Sequence, residues 1–197
     1  MRRSSWRSTS RLATARASGR SPSRVRRRCA TRASDFERAL AMLGLPYAFA
    51  SHFAPEALLP ALDLYRAEFR PSEQLQEPYA MVAANVIAAD DDKQARRLFT
   101  SQQQSFTNIF RATRGQLPPP IDDIDAYWLL EEKARVTSML RRLFVGSGET
   151  VQQGLLRFVE ETGADELIVA TAIHGHSSRL HSYEILAIRL PRRWPLT

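Results

Sequence analysis

The chain has 197 residues, 44% hydrophobic and 25% charged, which are the proportions of a globular domain with a sizeable core. It holds neither an apolar run near the ~20 residues of a membrane-spanning helix nor a secretory h-region. The single cysteine, Cys29, excludes an internal disulfide, so the expectation is a soluble, cytoplasmic protein without a membrane partner.

The net charge of +7 is unevenly placed. Residues 1–33 hold eleven arginines, seven serines and no acidic residue, which leaves 17 basic against 21 acidic residues in 34–197, a net of −4. The basicity belongs to a tail, so nucleic-acid binding does not follow from the overall charge. With Trp6, Leu12 and Val25 as its only large apolar residues, the tail cannot bury enough surface to offset its conformational entropy, and disorder is expected. Three readings of it stand. It is a basic arm that neutralises phosphates, an Arg- and Ser-rich transit peptide, or a stretch translated out of frame. We favour the third, because only two of the 28 basic residues are lysines (Lys93 and Lys133), as in a GC-rich gene. Such a gene read out of frame yields mostly Arg, Ala, Ser, Pro and Thr.

From Ser34 the character changes. Residues 35–43 predict a helix, with apolar Phe36, Leu40 and Leu43 at helical spacing and Gly44 as its stop. Residues 45–50 form a short apolar run that suits a buried strand. Residues 55–69 predict an amphipathic helix with Leu58, Leu62, Tyr65 and Phe69 on one face. Residues 79–88 (YAMVAANVIA) read as a second buried strand, and Asp90 to Asp92 open a long helix to about Ala112. Residues 124–143 predict another helix, effectively from Tyr127. Residues 147–150 begin the next, which Gly163 closes. Residues 165–173 (DELIVATAI) read as a third strand, residues 177–188 as a final helix and residues 189–197 as a loose tail.

Continuously apolar strands separated by helices imply a parallel sheet covered on both faces. Three strands in the 164 residues of 34–197 fall short of a complete (β/α)8 barrel, which takes eight strands and typically ~250 residues. The count predicts a partial domain over 34–188.

Three stretches carry a family resemblance: LGLPYAFASHF (43–53), YAMVAANVIAAD (79–90), and 145–187, which contains VGSGETV, TGADELIV and RLHSYEILA. Together they resemble the luciferase-like monooxygenases, in particular bacterial FMN-dependent oxidoreductases related to the luciferase alpha chain. Their order and spacing are similar to the last three βα units of that barrel. The resemblance implies an α/β fold, the C-terminal portion of a TIM (β/α)8 barrel. It implies a monooxygenase that incorporates oxygen from O2 into a small organic substrate. FMN is the implied cofactor, without a metal, with a flavin reductase supplying reduced flavin and a homo-oligomer as the implied assembly. In that family an LLGSSDF-like segment on the fifth strand lies near the flavin phosphate. The matching positions here are Thr31, Arg32, Ala33, Ser34, Asp35 and Phe36, of which only the last three follow the pattern. The resemblance stops where the arginine-rich composition begins, so little FMN affinity and little turnover are expected of this chain.

Functional residues of a βα barrel sit at the C-terminal ends of its strands. Ser51, His52 and Phe53 follow the first strand, and the resemblance makes them pocket-facing. His52 is the candidate proton shuttle, and Ser34, Ser51 and Phe53 are the candidate cofactor contacts. A plain strand-exit cap explains Ser51 and His52 as well. Asn85, inside the second strand, needs a partner from a neighbouring side chain or a ligand. His174, His176 and His181 follow the third strand, but no cysteine or carboxylate completes a tetrahedral metal set. The competing, non-enzymatic reading is a protein whose basic arm binds nucleic acid or a partner chain.

Overall fold

A computed structural model describes residues 30–51, 55–113 and 115–190, with the backbone alone for residues 30–34 and 55. Most of the arginine-rich segment, and with it the expected disorder, lies outside the described residues. The elements are α1 (Ala30–Met42), β1 (Tyr47–Phe49), a 3-10 turn (Pro55–Ala57), α2 (Leu58–Glu68), β2 (Ala80–Ala89), α3 (Asp92–Phe110), α4 (Leu130–Met139), β3 (Leu143–Ser147), α5 (Gly148–Thr162), β4 (Glu166–Ala170) and α6 (His176–Arg189).

All strand pairings are parallel, and β2 is the strand to which the other three pair. Met81 pairs with both Ala48 and Glu166, and Asn85 pairs with both Leu143 and Ala170. A residue has one neighbour on each side, so β4 holds one edge of β2 while β1 and β3 follow each other along the other edge.

Side chains alternate across a strand, and in β2 the even-numbered set meets the main core. Ala80, Val82, Ala84, Val86 and Ala88 pack with Leu58, Leu62 and Tyr65 of α2, Val151, Leu155 and Phe158 of α5, and Leu186 of α6. The opposite face carries Met81, Ala83, Asn85, Ile87 and Ala89. It is closed at its C-terminal half, where Ile87 is fully buried, and open elsewhere: Ala48 is exposed and Ile168 is 44% exposed. The expectation of a sheet covered on both faces is therefore corrected for this second face. A smaller core of Trp128, Val136 and Leu140, with Phe99, Phe106, Ile124 and Leu143 against it, joins α3 and α4 to β3.

Local chemistry sets the element ends. Gly44 follows α1 at φ +62°, and an added Cβ would stand 2.6 Å from the Arg70 carbonyl, so only glycine fits this stop. Asp91 caps α3 by accepting from the Gln94 N–H at 2.7 Å, and Ser147 caps α5 by accepting from the Thr150 N–H at 3.2 Å. Gly163 ends α5 in the left-handed region, as predicted.

Three expectations need correction. The single helix over 124–143 is shorter, because Asp123 Oδ1 folds a turn onto the Asp125 and Ala126 N–H groups. Glu132 then caps the Leu129 N–H at 2.8 Å, so α4 starts at Leu130. Second, Leu143 belongs to a strand, β3, that the helical reading absorbed. Third, Thr31 to Ser34, matched by resemblance to a barrel strand, are helical in α1.

Candidate functional site

The strands of a parallel sheet point their C-terminal ends to one rim. Here the exits after Phe49, Ala89, Ser147 and Ala170 define it. Ser51 sits there, 2% exposed, with its hydroxyl donating to the Ala83 carbonyl and its N–H donating to the Phe49 carbonyl at 3.0 Å. The hydroxyl thus ties the exit of β1 to the neighbouring strand. His52 and Phe53 lie outside the described residues, as does the Ser34 side chain.

Asn85 stands in mid-strand on the partly open face, half-buried, with no hydrogen-bond partner for its amide among the described residues. Ile87 and Ala89 continue that face toward the rim.

The histidines after β4 do not converge. His174 Nδ1 donates to the Leu117 carbonyl at 2.7 Å, which pins the Pro-rich 117–121 segment over the exit of β4. His176 Nδ1 accepts from the Arg179 guanidinium at 2.9 Å. His181 Nε2 meets Asp90 Oδ1 at 2.7 Å, and its Nδ1 lies 3.4 Å from Glu184 Oε2. Asp90 first, then Glu184, raises the His181 pKa above its ordinary value. Among the described residues no group of three or more His, Cys, Asp or Glu could hold a metal.

The sequence reading missed the Asp90–His181 pair across the exits of β2 and β4. It also missed the contact of Tyr183 with the residue just after β4, where the phenol accepts from the Thr171 N–H at 3.1 Å. Ser182 Oγ likewise accepts from the Ala88 N–H at 2.9 Å. His181 and Ser182 stand 91 and 94 positions from Asp90 and Ala88, and no local pattern marks such a pairing. β3 did have a signal: Leu143-Phe144-Val145 is an apolar, strand-prone run directly before the capping Ser147.

Parallel strands around one long central strand, with helices α2, α5 and α6 outside and a polar residue on the opposite face, define a portion of a βα domain. No family model matches the chain. Over 145 residues, 74% of this chain, it is 50% identical to a luciferase-like monooxygenase of Escherichia coli (strain K12) and 47% identical to the uncharacterized protein YvbT of Bacillus subtilis (strain 168). It covers 43% of each, so the chain spans less than half the length of these relatives. Among solved structures it resembles apo-MsnO8, with a TM-score of 0.66, 27% identity and coverage of 81% of this chain and 49% of that one. The fold is shared with the monooxygenase RslO1 of Streptomyces bottropensis at a TM-score of 0.51 and 18% identity, over 80% and 44% of the two chains. Over that span the chain is similar to luciferase-like monooxygenases, and the partial coverage fits the C-terminal part of such a protein.

Proposed function

We propose that residues 34–188 are the C-terminal part of a flavin-dependent, luciferase-like monooxygenase barrel. In this reading reduced FMN, supplied by a flavin reductase, is used with O2 to oxygenate a small organic substrate. The observation that carries it is the 50% identity to a luciferase-like monooxygenase over 145 residues, 74% of the chain. Bound reduced flavin supplies the oxygen-activating chemistry; the protein orients it and excludes water.

The described residues do not by themselves fit the cofactor's phosphate. The Gly-Ser step of the resembled phosphate segment is replaced, its matching positions are helical, and the Ser51 hydroxyl is engaged by the Ala83 carbonyl. What this part offers instead is a wall: Ile87 and Ala89 exclude water, and the unpartnered Asn85 amide can donate to or accept from a polar edge of a ligand. We further propose that residues 1–33 are not part of the functional domain and that the native enzyme supplies the phosphate site from preceding strands. His52 and Phe53 remain proposed rim contacts. The alternative, nucleic-acid binding by the basic arm, gains no support from the comparisons.

The test is a chimera that places the N-terminal part of the E. coli relative ahead of Ser34. Expected are saturable FMN binding by the chimera, flavin-dependent O2 uptake, and little or no FMN retention by the 197-residue chain. A folded chimera that leaves FMN unbound would overturn the flavin reading. Tight, stoichiometric FMN binding by the 197-residue chain alone would overturn the view that the phosphate site is missing from it.

A further inference from the structure

β4 lies at one side of the sheet. Among the described residues it pairs with β2 alone, so its outer edge carries backbone groups without a ladder partner. Which residues these are follows from β2. The Tyr79 carbonyl accepts from the Tyr47 N–H and the Ala83 carbonyl from the Ser51 hydroxyl, so odd-numbered residues turn their backbone groups toward β1. Even-numbered residues face β4, in keeping with the Asp165 N–H donating to the Ala80 carbonyl at 2.9 Å. In a parallel ladder a residue bonds to the two that flank its partner, so Val82, opposite Leu167, engages Glu166 and Ile168. Leu167 and Val169 are left with N–H and C=O pointing away from the sheet. The next outward N–H, that of Thr171, is closed by the Tyr183 phenol at 3.1 Å.

Edges of this kind are usually blunted by a proline, a lysine or a bulge. The β4 sequence, ELIVA, holds neither proline nor lysine, and its register with β2 runs without a bulge. Its one charge, Glu166, accepts from the Tyr79 hydroxyl at 3.1 Å. The other strands are poorer templates: β1 has three residues, and no residue of β3 is exposed.

Turned about a two-fold axis, the β4 edge complements itself. With Ile168 opposite Ile168 of a second copy, Leu167 of each copy exchanges N–H···O bonds with Val169 of the other, and every outward group of the two residues is used. Glu166 then faces Ala170, so like charges are kept apart. The exposed Ile168 side chains meet on the open face, at a non-hydrogen-bonded position where cross-strand side chains are closest. Loose adhesion of the apolar face would bury the same isoleucine but impose no register.

We propose that the chain forms a symmetric dimer by antiparallel pairing of β4 with β4 of a second copy, centred on Ile168. A two-fold interface of this kind closes at two subunits. The inference makes no use of the flavin reading, and its test contains no flavin, so either can fail alone.

The experiment uses the full 197-residue chain with Cys29→Ser, which removes its single cysteine. Onto this background go Ile168→Cys, Ala170→Cys and Glu166→Cys, all at exposed positions, with far-UV circular dichroism to check folding. In the proposed register the Cα atoms of the two 168 positions stand about 4.5 Å apart, within disulfide reach. Those of the two 170 positions stand about 13 Å apart, out of reach. Sedimentation velocity should show a monomer–dimer equilibrium for the Cys29→Ser chain. In a glutathione redox buffer Ile168→Cys should form covalent dimer at least about tenfold faster than Ala170→Cys. A mixture of the Glu166→Cys and Ala170→Cys chains should give the mixed disulfide in preference to either chain's own. Equal cross-linking at 168 and 170 would show association without register and overturn the proposal. So would a monomeric chain, assembly only into species larger than a dimer, or no preference for the mixed disulfide.

Discussion

The phenol of Tyr65 offers a sharp test of what fixes the strand register. The side chain is fully buried; its hydroxyl donates to the Leu45 carbonyl at 2.8 Å, lies 3.3 Å from the Tyr79 carbonyl, and accepts from the Tyr79 N–H at 3.2 Å. One oxygen on α2 thus anchors the entries of both β1 and β2, and everything at the rim inherits that registration. Tyr65→Phe removes the oxygen but retains the ring contacts with Tyr47 (centroids 5.2 Å apart) and Phe69 (5.8 Å). It leaves a backbone acceptor and a backbone donor unpaired, and an unsatisfied buried group costs about 1–3 kcal/mol. A loss of about 2 kcal/mol corresponds to a melting point lowered by roughly 4–8 °C in a chain of this size. Urea unfolding followed by far-UV circular dichroism gives the free energy, and the slope should not change because the packed surface is retained. Burial, the largest cause, holds the Tyr65 phenol neutral above its ordinary value of 10. Its stability contribution is therefore present below pH 10 and lost as pH rises past it, a loss the Phe variant should lack. A Tyr65→Phe free energy within about 0.3 kcal/mol of wild type would refute the anchoring role, since one orphaned buried group already costs more.

Other outcomes follow from the electrostatics and the open face. The raised His181 pKa means that its contribution is present below the unfolded value of 6.5 and is lost as pH rises through the higher folded value. Urea midpoints should fall over that window in wild type and stay flatter in His181→Gln, and identical slopes would exclude a role for the Asp90 contact. Hydrogen bonds from Arg111, and secondarily from the Leu129 N–H, hold the Glu132 carboxyl down to about 2. Its contribution is present above the unfolded value of 4.5 and lost as pH falls from there toward 2, so Glu132→Gln should weaken the acid dependence of the midpoint. Leu155→Ala, at a fully buried position, should cost about 2–5 kcal/mol in the same assay, and a cost below 1 kcal/mol would place Leu155 outside the main core. The open sheet face, where Ile168 is 44% exposed, is expected to make the chain self-associate, and Ile168→Lys should lower that association in sedimentation velocity. Unchanged association would move the contact to another surface.

The sequence made the strands visible wherever burial on both sides of a strand produced a continuous apolar run. β2 is the clearest case: its ten residues contain one polar side chain, Asn85, and the predicted span and the observed one differ by a residue at each end. The helix caps were also legible, because Asp91, Ser147 and Gly163 act on the backbone within three or four residues of themselves. β3 was lost because Met139-Leu140 and Leu143-Phe144-Val145 keep a helix-like apolar density across the boundary. The turn at residues 140–142 carries neither glycine nor proline to mark it. At the rim, residue type was legible and role was not. Ser51 has the composition of a ligand contact, but its hydroxyl closes a strand-to-strand bond that only the pairing of β1 with β2 creates. The three histidines looked like one cluster because they are close in sequence. The turn into α6 instead sends them to Leu117, Arg179 and Asp90.

The same geometry explains how a part-length sheet can be well formed and still lack a complete site. In a βα domain the helices on the outer face supply most of the stabilising burial. That layer is closed here: Leu58, Leu62, Val82, Val86 and Leu155 are all fully buried. The opposite face supplies the ligand surface, and it closes only where further strands curve round to meet it. Ile87 and Ala89 are already shielded near the rim, whereas Ala48, Ile168 and Ala170 remain exposed. In the proposed reading, stability and ligand binding therefore fall to different faces of the same strands. Substitutions at Leu155 or Tyr65 should change unfolding free energy in this chain. The contribution of Asn85 to a ligand can be measured only where the opposing strands are restored, in the chimera. There, Asn85→Ala that weakens flavin or substrate binding without shifting the urea midpoint would assign the amide to the ligand. An equal loss in both would assign it to the fold.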